Sequence, residues 1–173
     1  MADAPFHNPV VIVTGATSGI GAAMACTYYA LPHLKQSRGR IVAISSLAGL
    51  TGVPERSGYA ASKHAMTGFF DSLRIELAPD GVSVTVIYPG FVATGAHGRN
   101  LGADGTPLGA DANPVDYRRA DRPEHVAVVA LKAAANRRRQ VVMTPRGKLG
   151  RWLRLIAPGL VDAIARRAIQ SGR

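Results

Sequence analysis

The sequence predicts an α/β protein built on a parallel sheet of about four strands, arranged in three layers. Short runs rich in β-branched residues, at 10–13, 40–46, 82–88 and 140–144, read as strands buried on both faces, as parallel strands are. Segments with helical apolar periodicity separate these runs, and such alternation of strand and helix points to a parallel sheet. The 173 residues, 47% hydrophobic and 18% charged, are sufficient for one self-contained core and exclude a disordered chain.

Val10-Val11-Ile12-Val13 is the first strand and ends at Thr14-Gly15. After the sharp turn that follows, Gly19-Ile20-Gly21 opens an apolar stretch from Ala22 to Leu34 in helix-compatible order, and Pro32 weakens its last turn. Arg40 to Ser46 is the second strand, and the glycine and proline content of residues 49–58 marks a loop. Ala61, Ala65, Phe69, Leu73 and Leu77 repeat at four-residue steps, which predicts a helix from Tyr59 to Leu77, stopped by Pro79-Asp80-Gly81. Val82 to Tyr88 is the third strand, closed by Pro89-Gly90. Residues 91–120 are glycine-rich and form a long excursion. Asp121 with Glu124 three positions on predicts an N-cap and a helix through His125 to about Asn136. Gln140 to Thr144 is the last strand. Residues 149–169 supply one or two amphipathic helices broken at Pro158-Gly159. The expected organisation is an α/β domain over 1–148 and a basic amphipathic helical extension over 149–173.

Charge is distributed unevenly. Residues 1–117 carry 7 basic and 8 acidic groups, whereas 118–173 carry 14 basic and 3 acidic, so the whole excess of +10 is C-terminal. Such a block attracts anionic partners or is a solvated face. No RNA-binding aromatic pattern, zinc finger or basic-region heptad accompanies it, so no nucleic-acid partner is expected. Leu149, Trp152, Leu153, Leu155, Ile156, Leu160, Val161, Ile164 and Ala168 alternate with arginines, a pattern that serves packing against the domain, a second subunit or an anionic membrane. The lone Cys26 excludes an internal disulfide and has no partner spacing for a structural zinc site. The first eight residues lack the basic and apolar regions of a secretion signal. A cytoplasmic protein is expected, with membrane association open.

Three places carry chemistry. The turn Thr14-Gly15-Ala16-Thr17-Ser18-Gly19-Ile20-Gly21 sits between strand and helix, where glycines allow close backbone approach and helix amides face an anion such as a pyrophosphate. Tyr59 and Lys63 stand four apart on a helix and share a face. A phenol, of ordinary pKa about 10, is a poor acid or base at neutral pH, but a neighbouring ammonium favours its ionised form. Ser46 ends the preceding strand, 13 residues before Tyr59, where its hydroxyl can reach a substrate oxygen.

The glycine-rich turn, Ile44-Ser45-Ser46, Tyr59-Ala60-Ala61-Ser62-Lys63 and Tyr88-Pro89-Gly90-Phe91-Val92-Ala93-Thr94 together resemble, in order and local context, the short-chain dehydrogenase/reductase family. The resemblance implies a Rossmann-like sheet and an NAD(P)-dependent oxidoreductase acting on an alcohol or carbonyl substrate. It assigns Gly15, Ser18, Gly19, Ile20 and Gly21 to the pyrophosphate and adenosine side of NAD or NADP, and Pro89, Gly90, Val92 and Thr94 to the border of the nicotinamide. Ser46, Tyr59 and Lys63 would be catalytic. Tyr59 would exchange the proton with the substrate oxygen, Lys63 would lower the Tyr59 pKa and bind the nicotinamide ribose, and Ser46 would position and polarise the oxygen. No metal is implied, and a homo-oligomer is open.

The chain also departs from the family pattern. Only residues 22–39 lie between the glycine turn and the Ser strand, where the family has a far longer region, and two helices look joined around Ala25-Cys26. The joined stretch lacks the residue that selects NAD or NADP, the Asp that contacts adenine, the NNAG segment and the catalytic Asn. In the family sheet, ordered 3-2-1-4-5-6-7, the first strand pairs with the fourth, which is missing here. One helix is still long enough for a crossover, so the first strand is expected beside the Ser strand. Weak or absent dinucleotide binding follows, and with it an alternative reading: a catalytically impaired remnant that acts through its basic C-terminal surface.

Overall fold

The computed structural model describes residues 11–14, 20–93 and 120–170, with 11–14, 20 and 168–170 described by backbone alone. Four parallel strands, β1 (Val11–Thr14), β2 (Arg40–Ile44), β3 (Ser83–Tyr88) and β4 (Gln140–Val142), lie in the order β1-β2-β3-β4. Register sets Thr14 opposite Ala43, Ile44 opposite Ile87 and Tyr88 opposite Val142, so all four strands end at one edge. The strand carrying the glycine turn is hydrogen-bonded directly to the strand carrying Ser46, as the short linker requires.

Alternation along β2 and β3 sorts the helices into two layers. Ile41, Ala43, Val84, Val86 and Tyr88 form one cluster with Ala23 and Leu34 of α1 (Ile20–Ser37) and with Met66, Phe70 and Leu73 of α2 (Ser57–Glu76). Val42 and Ile87 face the other way, onto Ala130, Ala133 and Ala134 of α3 (Pro123–Ala135). Both central strands are therefore covered on both sides, which accounts for their unbroken apolar runs. Because the strands run parallel and in sequence order while α3 lies opposite α1 and α2, the β3–β4 crossover has the opposite hand from the two before it.

Several boundaries differ from those the sequence predicts. Helix α1 continues past Pro32 to Ser37, because Leu34, fully buried, holds the turn beyond the proline. It ends at Arg38, in the left-handed region at φ 49°, with the Gly39 amide donating to the Leu34 carbonyl at 2.8 Å. The cap of α3 is Arg122 rather than Asp121, since Pro123 takes the first helical position, where a missing N–H costs nothing. Asp121 instead pairs with His125 at 2.7 Å. After α3, Arg137 leaves the helix and donates to the Gly81 carbonyl at 2.7 Å and the Arg38 carbonyl at 3.1 Å, tying two other turns together.

Two further helices, α4 (Pro145–Ile156) and α5 (Pro158–Gln170), follow β4. Helix α4 starts with Thr144, whose hydroxyl accepts from the Gly147 amide at 3.0 Å, and so crosses the expected boundary at 148/149. The break at Pro158 is as predicted.

Phe70 is the largest apolar side chain wholly enclosed between α2 and the sheet. Phe70→Ala should cost about 3–5 kcal/mol through lost burial and the cavity left behind, read as a lower urea midpoint with an unchanged slope.

Candidate functional site

At the carboxyl edge of the sheet the chain after β2 turns at once. Ser46, extended at φ −160° and ψ 163°, caps a short 3₁₀ turn, Leu47–Gly49, by accepting from the Ala48 amide at 3.3 Å. A hydroxyl engaged as acceptor keeps its proton for a second partner. The edge is stitched to β3, with the Ser45 amide donating to the Ile87 carbonyl at 2.8 Å and the Leu47 amide to that of Pro89 at 3.4 Å.

This turn is pressed against α2 at one residue. A Cβ on Gly49 would stand 2.8 Å from the Lys63 carbonyl oxygen, 2.8 Å from Ser45 Oγ and 3.0 Å from Thr67 Oγ1. Ser45 and Thr67 donate to that same Lys63 carbonyl, at 3.4 and 3.0 Å. The main chain of Lys63 is thereby joined to the Ser46 turn, and the Lys63 side chain starts from a fixed point. Sequence patterns do not mark Ser45, Gly49 and Thr67, because each is ordinary alone; the glycine three residues after Ser46 is the available signal.

Tyr59 and Lys63 are brought together as their spacing implies. Lys63 Nζ lies 5.7 Å from the Tyr59 ring centroid and 3.7 Å from Met66 Sδ. Tyr59 is 45% exposed, so the phenol meets solvent, whereas Lys63 is half-buried and its loss of hydration pushes its pKa below the ordinary lysine value. Beneath them Tyr88 is buried, its hydroxyl 3.4 Å from Thr67 Oγ1, and burial pushes its pKa up from 10.0.

Beyond β3, Pro89 is buried, and a Cβ on Gly90 would come within 2.8 Å of Thr144 Cγ2, fastening the segment to the start of α4. Val92 bridges to Asp121, with the Ala93 amide donating to the Asp121 carbonyl at 2.9 Å. Gly15, Ser18, Gly19 and Thr94 lie outside the described residues. Ile20 and Gly21 open α1, and among the described residues, its own helix backbone and chain neighbours aside, no atom comes within 4 Å of where a Gly21 Cβ would stand.

A three-layer parallel sheet whose strands end at one edge, with Ser46 following β2 there and the Tyr59–Lys63 pair on the helix packed against its turn, is a Rossmann-like α/β protein. A family model for short chain dehydrogenase matches residues 22–103. Over 69 residues the chain is 52% identical to 11-beta-hydroxysteroid dehydrogenase-like 4A of Arabidopsis thaliana, covering 40% of this chain and 23% of that protein. Over 146 residues it is 39% identical to Dehydrogenase/reductase SDR family member 7B of Xenopus laevis, covering 82% of this chain and 44% of that protein. Among solved structures, a short chain dehydrogenase from Burkholderia cenocepacia J2315 in complex with NADP superposes with a TM-score of 0.65 at 18% identity, covering 90% of this chain and 68% of that one. A short-chain dehydrogenase/reductase of unknown function from Caenorhabditis elegans, with cofactor, gives 0.61 at 24%, covering 80% and 65%. At such identities the structural likeness concerns the fold. These matches support the short-chain dehydrogenase/reductase family for this chain, which spans less than half the length of the curated relatives it matches.

Gly49→Ala should lower stability by about 1–3 kcal/mol, because the new methyl meets backbone and two hydroxyls that cannot all retreat; the urea midpoint checks it. In a phenol absorbance titration Tyr88 should ionise above pH 10.0, and Tyr88→Phe should remove that late component. In that window the unfolded chain releases the proton first, so the folded state binds more protons and stability should fall as pH rises.

Proposed function

We propose that the protein is an NAD(P)-dependent oxidoreductase of the short-chain type, acting on a small alcohol or carbonyl compound. The observation that carries this reading is the Tyr59–Lys63 pair: an exposed phenol with a half-buried ammonium 5.7 Å from its ring centroid, on the helix clamped to the Ser46 turn. Tyr59 Oη exchanges a proton with the substrate oxygen. Ser46 Oγ donates a hydrogen bond to the same oxygen and polarises it, using the proton its capping role leaves free. Lys63 Nζ stabilises negative charge developing on the phenol oxygen and holds the nicotinamide ribose. General acid–base work of this kind contributes about 10²–10⁴-fold, and fixed orientation can contribute more.

The residues of the nicotinamide end suit such a cofactor, since the Pro89 carbonyl accepts from the Leu47 amide, Gly90 lies against Thr144 and Val92 bridges to Asp121, at the edge where Ser46 emerges. Bound there, the nicotinamide supplies or accepts the hydride. Gly15, Ser18, Gly19, Ile20 and Gly21 would take the pyrophosphate side and Thr94 would complete the nicotinamide border. The NADP bound to the Burkholderia relative supports a nicotinamide cofactor, NAD or NADP. A cytoplasmic location, with membrane association open, accompanies this reading, as does room for a homo-oligomer. The join at Ala25-Cys26 is read as a shortening of the family pattern, within a helix that runs unbroken from Ile20 to Ser37.

Direct pairing of β1 with β2 favours a second reading, a catalytically impaired remnant that acts by binding through its basic C-terminal surface. With no strand between them, the end of β1 at Thr14 stands about one strand spacing, roughly 4.8 Å, from β2, which on this reading would close part of the dinucleotide cleft.

Fluorescence titration with NADPH and NADH separates the two. Micromolar binding, with turnover that drops about 10²–10⁴-fold in Tyr59→Phe, is expected for the oxidoreductase. A folded chain that binds neither nucleotide would establish the remnant, and unchanged turnover in Tyr59→Phe would remove Tyr59 from the mechanism.

A further inference from the structure

At 3.6 residues per turn, Gly147, Gly150, Arg151 and Arg154 share one face of α4, and Leu149, Trp152 and Ile156 share the opposite face. The domain lies against the first of these. A Cβ on Gly147 would be 2.4 Å from Leu47 Cδ2 and 2.9 Å from Val142 Cγ1. Arg154 donates to the Leu50 carbonyl and lies 3.3 Å from His64 Nε2, and Arg151 donates to the Gln140 side-chain oxygen at 2.8 Å in the amide orientation that satisfies both groups. Helix α5 repeats the arrangement. Asp162, Ala165 and Arg166 face the segment before α2 across an open groove of about 630 Å³, while Leu160 and Ile164 lie on the other side of the helix.

Both helices thus turn small and charged residues inward and large apolar residues outward. Leu149, Trp152, Leu155, Ile156, Leu160 and Ile164 are all more than half exposed, with Ile156 at 83%. Large apolar side chains left exposed along two successive helices in this way mark an interaction surface.

Charge decides which surface it meets. Beside this apolar face lie Arg146, Lys148 and Arg167, whereas Arg151, Arg154, Arg166 and Asp162 are turned toward the domain. Twofold pairing with a second copy would bring two like-charged sets together around a buried apolar centre, which is unfavourable. No helix among the described residues is long and apolar enough to cross a membrane. An anionic lipid surface satisfies both features: the acyl boundary accepts apolar side chains to a depth of about 5–10 Å, and the headgroups neutralise the surrounding cations. Trp152, with the Arg151 guanidinium 6.0 Å from its ring, has the amphipathic character of residues that settle at headgroup level. We infer that α4 and α5 form a peripheral docking face for anionic lipid membranes. The inference rests on neither reading of the Tyr59 site.

Trp152 is the only tryptophan of the chain and reports on the face directly. The full chain is mixed with vesicles of phosphatidylcholine alone and of phosphatidylcholine with about one-third phosphatidylserine. With the anionic vesicles Trp152 emission should shift to the blue and be quenched by brominated acyl chains, and partitioning should be roughly tenfold or more tighter than to neutral vesicles. Added salt should weaken it. Leu155→Ser with Ile156→Ser, two exposed positions whose change leaves the fold intact by circular dichroism, should weaken partitioning at least roughly tenfold. Arg146→Gln with Lys148→Gln should reduce the preference for anionic lipid. Equal binding to both vesicles, absence of any Trp152 shift, or a concentration-dependent dimer that the Leu155/Ile156 variant dissociates would overturn the inference, the last by giving the face to a second copy.

Discussion

Hydrogen bonding of β1 directly to β2 is the constraint on which the rest of the molecule depends. A parallel neighbour needs a crossover, and the 18 residues of α1 are enough to carry the chain back along one layer of the sheet but not to build another strand on the way. Pairing in that register brings the ends of all four strands to one edge, so Thr14, Ser46 and Pro89-Gly90 stand at the same side of the sheet. The same pairing leaves β1 at the border of the sheet, whereas the family pattern that the motifs resemble sets its first strand between two others. Both the concentration of motif residues at one edge and the narrowing of the space between them follow from this single ladder.

Within that frame, the relation between Ser46 and the Tyr59–Lys63 pair is held by backbone. Gly49 lets the 3₁₀ turn approach α2 closely enough for the Lys63 carbonyl to accept from Ser45 and Thr67, and Thr67 in turn meets the buried Tyr88 hydroxyl. These are individually modest hydrogen bonds of about 1 kcal/mol each. Their value lies in joining two elements whose side chains must be placed relative to one another, while the apolar packing of Met66 and Phe70 holds the helix to the sheet. Placement here is thus set by groups that carry no reactive chemistry themselves.

The C-terminal helices obey a different logic. A helix docked on a domain ordinarily buries its apolar stripe, yet α4 rests on Gly147 and two arginines, and its apolar stripe faces solvent. Small residues allow close approach to Leu47 and Val142, and the arginine side chains find carbonyl and amide partners at Leu50 and Gln140. The outer surface is left apolar with a basic border.

Much of the fold is legible in the order of the amino acids. The strands at 40–44 and 83–88, the helix bearing Tyr59 and Lys63, the helix from 123 and the break at Pro158 follow from short β-branched runs, from period-3.6 and capping patterns and from proline, because such signals depend only on near neighbours in the chain. The shared face of Tyr59 and Lys63 is of the same local kind. The closeness of Gly49 to the Lys63 carbonyl, the assignment of α3 to the opposite layer, the transfer of the α3 cap to Arg122 and the engagement of Arg137 with Gly81 and Arg38 are not legible there, since each joins groups distant in sequence or weighs one local preference against another. The amphipathic pattern of α4 and α5 can be read from residue order alone, but not the direction in which it points. Periodicity fixes which residues share a face; only packing against Leu47, Val142 and Leu50 decides which face is buried.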